Sequence, residues 1–244
     1  MLAGESVDVV GYASTTSAYV IGFDEEAAMV SRPSTLLDVP VAATCASAVL
    51  ALRDLGVERV ALVGAPWFDP EINELGAAYF RSQGFDVVSS ASAELSRDPR
   101  RIEPAAVYAW TARHVGEEAE GAFIGENGFR AARAIEQLEA GIGRPVLTSN
   151  QVLLWSLLAQ AGSAVEITGY GRLLARRAGE KLDPERVTSA RRRRSEPMRC
   201  GRAAGVISDV AKRARLVPRA QKCVHSIGSR SDELRIVIEV DLTL

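Results

Sequence analysis

Short apolar runs alternate along this chain with stretches in which apolar residues recur every three or four positions, the first a signal of buried strands and the second of amphipathic helices. The plainest run is Arg59-Val60-Ala61-Leu62-Val63-Gly64, followed by a turn over Ala65–Pro70, a helical stretch from Glu71 to Gln83 and a stop at Gly84. Phe85–Ser89 reads as the next strand, and Ile102–Val115 as a helix opened by Glu103-Pro104. Ala122-Phe123-Ile124 comes next, and after Gly125-Glu126-Asn127-Gly128 the residues Phe129, Ala132, Ile135 and Leu138 keep helical spacing as far as Gly141-Ile142-Gly143. Arg144-Pro145 forces the chain extended into Val146-Leu147, and a last helical stretch follows Thr148-Ser149-Asn150. Strand and helix thus alternate four times between Arg59 and Leu158, which predicts a parallel sheet with right-handed crossovers and helices on both faces. Upstream, Val7–Tyr12 reads as a strand, Ala13–Ser17 as a hydroxyl-rich turn before a short helix, Val39–Ala42 as an extended piece, and Thr44–Leu55 as a helix stopped by Gly56.

In such sheets, ligands meet the turns at the carboxyl ends of the strands, where helix N-termini favour anions. That directs attention to Glu126 and Asn127 in a turn expected to open directly into a helix, and to Ser14, Thr15 and Thr16 in the first turn. Each has a plain structural alternative. The hydroxyls could cap the helix behind them, and Glu126 could cap its own helix or pair with Arg130. Trp67 and Phe68 either cover a pocket or pack between layers.

Composition narrows the classes. With 47% apolar and 25% charged residues the chain has the make-up of a globular protein. No apolar run approaches the ~20 residues that cross a bilayer, and Met1–Glu5 does not resemble a signal peptide, so a cytoplasmic location is the default expectation. The cysteines, Cys45, Cys200 and Cys223, are odd in number and lack CxxC spacing, against a disulfide framework or structural zinc. His114 and His225 stand in no motif, so a Ser-His-Asp triad is rejected. The net charge of −2 hides an acidic stretch, residues 1–180, and a basic one, 181–244. Arg191–Arg194 lacks interleaved aromatics and is read as part of a solvated, poorly ordered tail rather than a nucleic-acid contact. Arg235–Leu244 alternates as a terminal strand would.

Several of these stretches, in order, resemble the Asp/Glu racemase superfamily, within it the branch of maleate cis-trans isomerases and arylmalonate decarboxylases. They are the turn after Val7–Tyr12, ALRDLGVERVALV, APWFDPEINE, GENGFRAARAIEQLE, RPVLTSNQVLLW and GYGRLL, and the similarity covers about Val7 to Leu174. The resemblance implies two pseudo-symmetric, three-layer, Rossmann-like α/β subdomains with a site between them and no metal or organic cofactor. Residues 1–50, completed by about 151–180, would form the first subdomain, and 51–150 the second. Members carry a further stretch before the position of Val7, so the first subdomain is expected to lack its N-terminal strand.

The racemases and the isomerase use two cysteines, and the decarboxylase keeps the second. Here Ser14 stands at the first position and Glu126 at the second. The resemblance therefore implies Glu126 and Ser14 as catalytic candidates, with Thr15, Thr16, Trp67, Asn127 and Gly128 as the carboxylate-binding shell. The expected activity is that of a cofactor-independent isomerase, racemase or decarboxylase acting on a small mono- or dicarboxylic acid by proton transfer through an enediolate; the alternative is a non-catalytic small-carboxylate-binding protein. No membrane or nucleic-acid partner is expected, and self-association into a homo-oligomer is left open.

Overall fold

A computed structural model describes residues 7–163, 165–175, 221–227 and 234–240, the last two stretches as backbone. The Arg191–Arg194 run lies outside the described residues.

The second sheet is the one read from Arg59 onward. Its strands are β3 (Arg59–Gly64), β4 (Asp86–Ser92), β5 (Gly121–Ile124) and β6 (Val146–Thr148), all parallel, in the order β4-β3-β5-β6. Alternate residues face opposite layers. Val60, Leu62, Phe123 and Leu147 enter one core with α3 (Thr44–Asp54), α4 (Pro70–Ser82) and α7 (Ser149–Gln160); Ala61, Val63, Ala122, Ile124 and Val146 enter the other with α5 (Pro104–His114) and α6 (Ile135–Ile142). Burial on both faces is why these strands are nearly continuous apolar runs.

The helix ends follow local chemistry. Asp69 accepts the Ile72 N–H at 2.9 Å ahead of Pro70, Thr148 and Gln151 form a reciprocal capping box at α7, and Gly143, with φ of 72°, ends α6.

The first sheet has β1 (Val9–Ala13) paired in parallel with β2 (Val41–Ala43) and, on its other side, with β8 (Leu234–Val240), which pairs antiparallel with β7 (Gln221–Ile227). The alternation read near Arg235 does form a strand, and it joins a second one within the segment read as a tail. Helix α7 links the two halves: Val152 and Trp155 enter the core beneath the second sheet, while Leu153 and Leu157 pack on Val9, Ala13 and Ala42. Gly11 permits that approach, since a Cβ there would meet Leu157 Cδ1 at 3.0 Å.

Two features depart from the sequence reading. A fifteen-residue helix, α2 (Phe23–Leu37), follows α1 (Thr16–Ile21) where no element was expected. And the chain after Gly128 is not yet helical: a 3₁₀ turn spans Ala132–Ala134 and α6 starts at Ile135. Phe129 and Ala131 are buried, so the chain dives into the core before it coils. Glu126 and Asn127 therefore do not sit on a helix N-terminus, and the dipole argument for an anion there does not apply.

Candidate active site

The carboxyl ends of β1, β2, β5 and β6 converge, bringing together residues that are far apart in the chain. After β1 the chain turns through Ser14, Thr15 and Thr16; after β2 it enters α3 at Thr44; after β5 it passes Gly125 and Glu126; after β6 it enters α7 at Ser149. These turns bind one another through side chains.

Thr15, fully buried, lies at the centre. Its hydroxyl accepts the backbone N–H of Glu126 at 3.2 Å, donates to Asn127 Oδ1 at 3.3 Å and lies 3.0 Å from Ser149 Oγ. With its proton on Asn127, Ser149 is left as the donor in the last contact. Thr16 donates its hydroxyl to Glu126 Oε2 at 3.2 Å, and the other carboxylate oxygen accepts the Gly128 N–H at 3.1 Å. Asn127 bridges the halves: its Oδ1 is also 3.3 Å from the Thr44 hydroxyl, its Nδ2 donates to Asn150 Oδ1 at 3.0 Å, and its carbonyl accepts from Asn150 Nδ2 at 2.9 Å.

Glu126 has a φ of 90°, in the left-handed region that favours glycine. Strain of this kind costs of order 1–3 kcal/mol and persists where the surroundings over-determine the conformation. Here the surroundings are the Thr15 hydroxyl on its N–H and the Thr16 and Gly128 contacts on its carboxylate.

Trp67, from the β3–α4 turn, stands edge-on to Phe129 with ring centroids 6.2 Å apart. Gly128 lies between that indole and the Glu126 carboxylate: a Cβ on it would be 3.5 Å from Trp67 Cζ2 and 3.6 Å from Glu126 Oε1. The Trp67 indole N–H is buried and has no partner among the described residues, a donor without an acceptor.

Of the residues read from sequence, Thr15, Thr16, Trp67, Glu126, Asn127 and Gly128 gather in one place. Ser14 stands differently. Its hydroxyl lies 2.7 Å from Ser17 Oγ and accepts the Ser17 N–H at 3.2 Å, and Tyr12 donates to Ser17 at 3.2 Å, so Ser14 braces the turn.

Thr44, Ser149 and Asn150 also belong to the cluster; Thr148-Ser149-Asn150 reads from sequence as a second polar turn at the end of a strand, and the signal for Thr44 is its place just past β2. Tyr19 was not singled out. Its hydroxyl would lie 3.0 Å from a Cβ on Gly125, and burial first, then the charges of Cys45, Glu126 and Glu26, push its proton affinity well above the usual tyrosine value.

Cys45 is fully buried and its Sγ lies 3.7 Å from the Thr15 carbonyl. Burial, with Glu26 and Glu126 adding, raises its thiol well above the ordinary value, which suits a packed thiol and not a thiolate nucleophile. His114 stacks on Trp110 at 3.9 Å with its Nδ1 on the Trp110 carbonyl, a structural placement. Among the described residues no three or more His, Cys, Asp or Glu side chains cluster as metal ligands would, and no helix is long and apolar enough to cross a membrane.

The family model of arylmalonate decarboxylase matches residues 1–174. An arylmalonate decarboxylase of Bordetella bronchiseptica is 24% identical over 177 residues, covering 70% of this chain and 73% of that protein. Among solved structures, unliganded arylmalonate decarboxylase superimposes with a TM-score of 0.63 at 24% identity, over 68% of this chain and 74% of that one. The maleate isomerase of Pseudomonas putida S16 with maleate gives 0.65 at 23%, over 72% of each chain. A Nocardia farcinica maleate cis-trans isomerase with a covalently bound succinylcysteine intermediate gives 0.63 at 24%, over 69% and 71%. These structural likenesses show a shared fold.

Proposed function

Since the chain belongs to the arylmalonate decarboxylase family, we propose that it is a cofactor-independent enzyme that moves a proton at the α-carbon of a small carboxylic acid, with Glu126 as the proton-carrying group. The relatives that match are an arylmalonate decarboxylase and maleate isomerases. What carries the reading here is Glu126, held at a positive φ between hydroxyls of the opposite half.

The chemistry has one shared intermediate. In exchange or racemisation the Glu126 carboxylate takes the α-proton, and the C–H electron pair moves into the substrate carboxylate as an enediolate. In decarboxylation the bond to the departing CO₂ supplies that pair, and the protonated Glu126 delivers its proton to the α-carbon. Both routes place negative charge on the substrate oxygens, where the indole N–H of Trp67, without a partner among the described residues, acts as a donor and the Thr16 hydroxyl turns from Glu126 to the substrate as Glu126 gains its proton, while Thr15 holds Asn127 and the Glu126 N–H in place. Preorganised donors aimed at developing charge are commonly the largest catalytic contribution. Ser14 serves by fixing the turn through Ser17 and Tyr12. A carboxylate adds to carbon poorly compared with a thiolate, so proton transfer ranks above an isomerisation through a covalent adduct.

A second reading has its own observation. Both Glu126 oxygens already accept hydrogen bonds from the chain, as they would in a binding protein that holds an acid without turning it over. The test is thermal unfolding against a panel of small mono- and dicarboxylic acids, followed by α-deuterium exchange in D₂O with those that raise the midpoint. Exchange that disappears in Glu126→Gln supports the enzyme. Binding with no exchange in the wild type supports the binding protein, and undiminished exchange in the variant removes Glu126 from the role.

A further inference from the structure

A second glutamate lies in the interior beneath this site. Glu26, on α2, is fully buried, and its Oε2 accepts the hydroxyl of Tyr79 from α4, itself buried. Its other oxygen, Oε1, has no hydrogen-bond partner among the described residues. The backbone N–H groups of Cys45 and Ala46, at the start of α3, also act on the carboxyl. No ion pair to Glu26 exists among the described residues.

The groups around it connect upward. Cys45 Sγ lies 3.7 Å from the Thr15 carbonyl, and Glu26 acts electrostatically on the same thiol. Tyr19 from α1 packs its ring against Tyr79 at 6.1 Å, and its hydroxyl end reaches Gly125, next to Glu126. Cys45 and Tyr19 each lie within Coulombic reach of both Glu26 and Glu126. Arg53 interacts electrostatically with Tyr79, and its guanidinium is bonded to the Gln83 carbonyl at 2.9 Å.

We propose that Glu26 is a positioning residue of the site, a buried carboxyl whose charge, seated under Cys45 and Tyr19, sets the electrostatic field in which Thr15, Glu126 and a bound acid sit. The geometry gives the direction. A neutral Glu26 leaves the space beneath the Ser14–Thr16 turn uncharged; an ionised one places a negative charge below a site that must accept an anionic substrate and then more negative charge. Desolvation by burial favours the neutral form and moves its midpoint up to about 7, against the Tyr79 hydroxyl and the Ala46 and Cys45 N–H groups, which pull it down. The site therefore works best on the acid side of that midpoint.

The inference rests on the proposed reaction only for its effect on turnover, and its first readout needs no substrate. In the ¹⁵N-labelled full chain, the amide resonances of Thr15, Cys45 and Glu126 are followed by NMR through pH 5 to 9, roughly the midpoint and two units either side. We expect them to shift together with a midpoint near 7 in the wild type and to stay flat in Glu26→Gln. Tyr79→Phe, which removes one donor from the ionised carboxylate, keeps the test open if the first variant does not fold: its midpoint moves upward. A transition that persists in Glu26→Gln, its absence in the wild type, or an unmoved midpoint in Tyr79→Phe overturns the proposal. With an acid found to exchange, the rate falls on the alkaline side through the same midpoint in the wild type and not in Glu26→Gln; a fall shared by both overturns it equally. Coupled amides in a protein that exchanges no acid would leave Glu26 in place and dismiss the catalytic reading alone.

Discussion

The hydroxyl of Thr16 donates to Glu126 Oε2 across 3.2 Å, joining the turn after β1 to the turn after β5 over 110 positions of sequence. One hydroxyl thus sits on the group proposed to carry the proton. Replacing it tests whether that contact acts in the reaction. In Thr16→Val the shape is kept and the donor lost, and losing one such donor costs roughly 3 kcal/mol of transition-state stabilisation, about a hundredfold in rate. Thr16→Ser should keep most of the exchange rate. Equal losses in the two variants, read by α-deuterium exchange, would assign Thr16 to packing.

Backbone strain supplies a second expectation. Glycine adopts the φ of 90° found at Glu126 without steric penalty, so Glu126→Gly should relieve strain and stabilise the fold by roughly 1 kcal/mol, a rise of about 2–4 °C in midpoint. The same change removes the proposed base and should abolish exchange. A variant that is both more stable and inactive is the mark of a residue kept for function. A drop in midpoint would show that the carboxylate contacts to Thr16 and Gly128 outweigh the strain.

Much of the second subdomain was legible because local and tertiary signals agree there. Val60, Ala61, Leu62 and Val63 are all buried, so the strand reads as one apolar run, and Asp69-Pro70 and Thr148–Gln151 are caps on sight. The clustering of the candidate residues was legible where strand ends are: Thr15, Thr16, Glu126 and Asn127 each follow one. What failed has a physical reason. In α2 the residue most deeply buried is the charged Glu26 while Leu36 is exposed, the reverse of the pattern by which a helix announces itself, and Pro33 lies inside it. The helix expected at Gly128 begins at Ile135 because burial of Phe129 and Ala131 outweighs the helical spacing. No periodicity reports that Thr44 and Asn127, 83 positions apart, share a proton.

That Thr44–Asn127 contact gives a third expectation. Asn127 Oδ1 receives two hydroxyls, Thr15 and Thr44, whose side chains are both fully buried. Asn127→Ala leaves Thr15 with Ser149 and Glu126, and leaves Thr44 with the Tyr12 carbonyl at 3.3 Å, so neither hydroxyl is orphaned outright. The Asn150 amide, however, loses its partner side chain. A cost of roughly 1–2 kcal/mol in urea unfolding is expected. Thr44→Val in the same background should then cost less than it does alone, because the shared interaction is already gone. Strict additivity would show that the bridge between the halves contributes nothing.

Stability should also depend on pH through Glu26, with a sign opposite to that of an ordinary salt-bridged carboxylate. Its proton affinity is raised in the folded chain, from 4.5 to about 7, because burial penalises the charged form more than the Tyr79 hydroxyl supports it. Below pH 4.5 the group is protonated whether the chain is folded or not, and contributes no slope. Between 4.5 and 7 the folded chain keeps a proton that the unfolded chain has released, so stability falls as pH rises. Above 7 both states are ionised, and the accumulated loss levels off at roughly 3 kcal/mol. Glu26→Gln cannot titrate. Its Oε1 can still accept from Tyr79, and the amide N–H₂, which would face the Cys45 and Ala46 N–H groups, carries a cost that does not change with pH and is smaller than that of a buried charge. Urea unfolding at pH 5 and pH 8 therefore separates the terms: the wild type should lose most of that difference between the two conditions, and the variant little of it, so that Glu26→Gln is the more stable protein at pH 8 and not at pH 5. An equal fall in both proteins would place the titrating group elsewhere, and a wild type that is steadier at pH 8 would mean that Glu26 is ionised and paired in the folded chain.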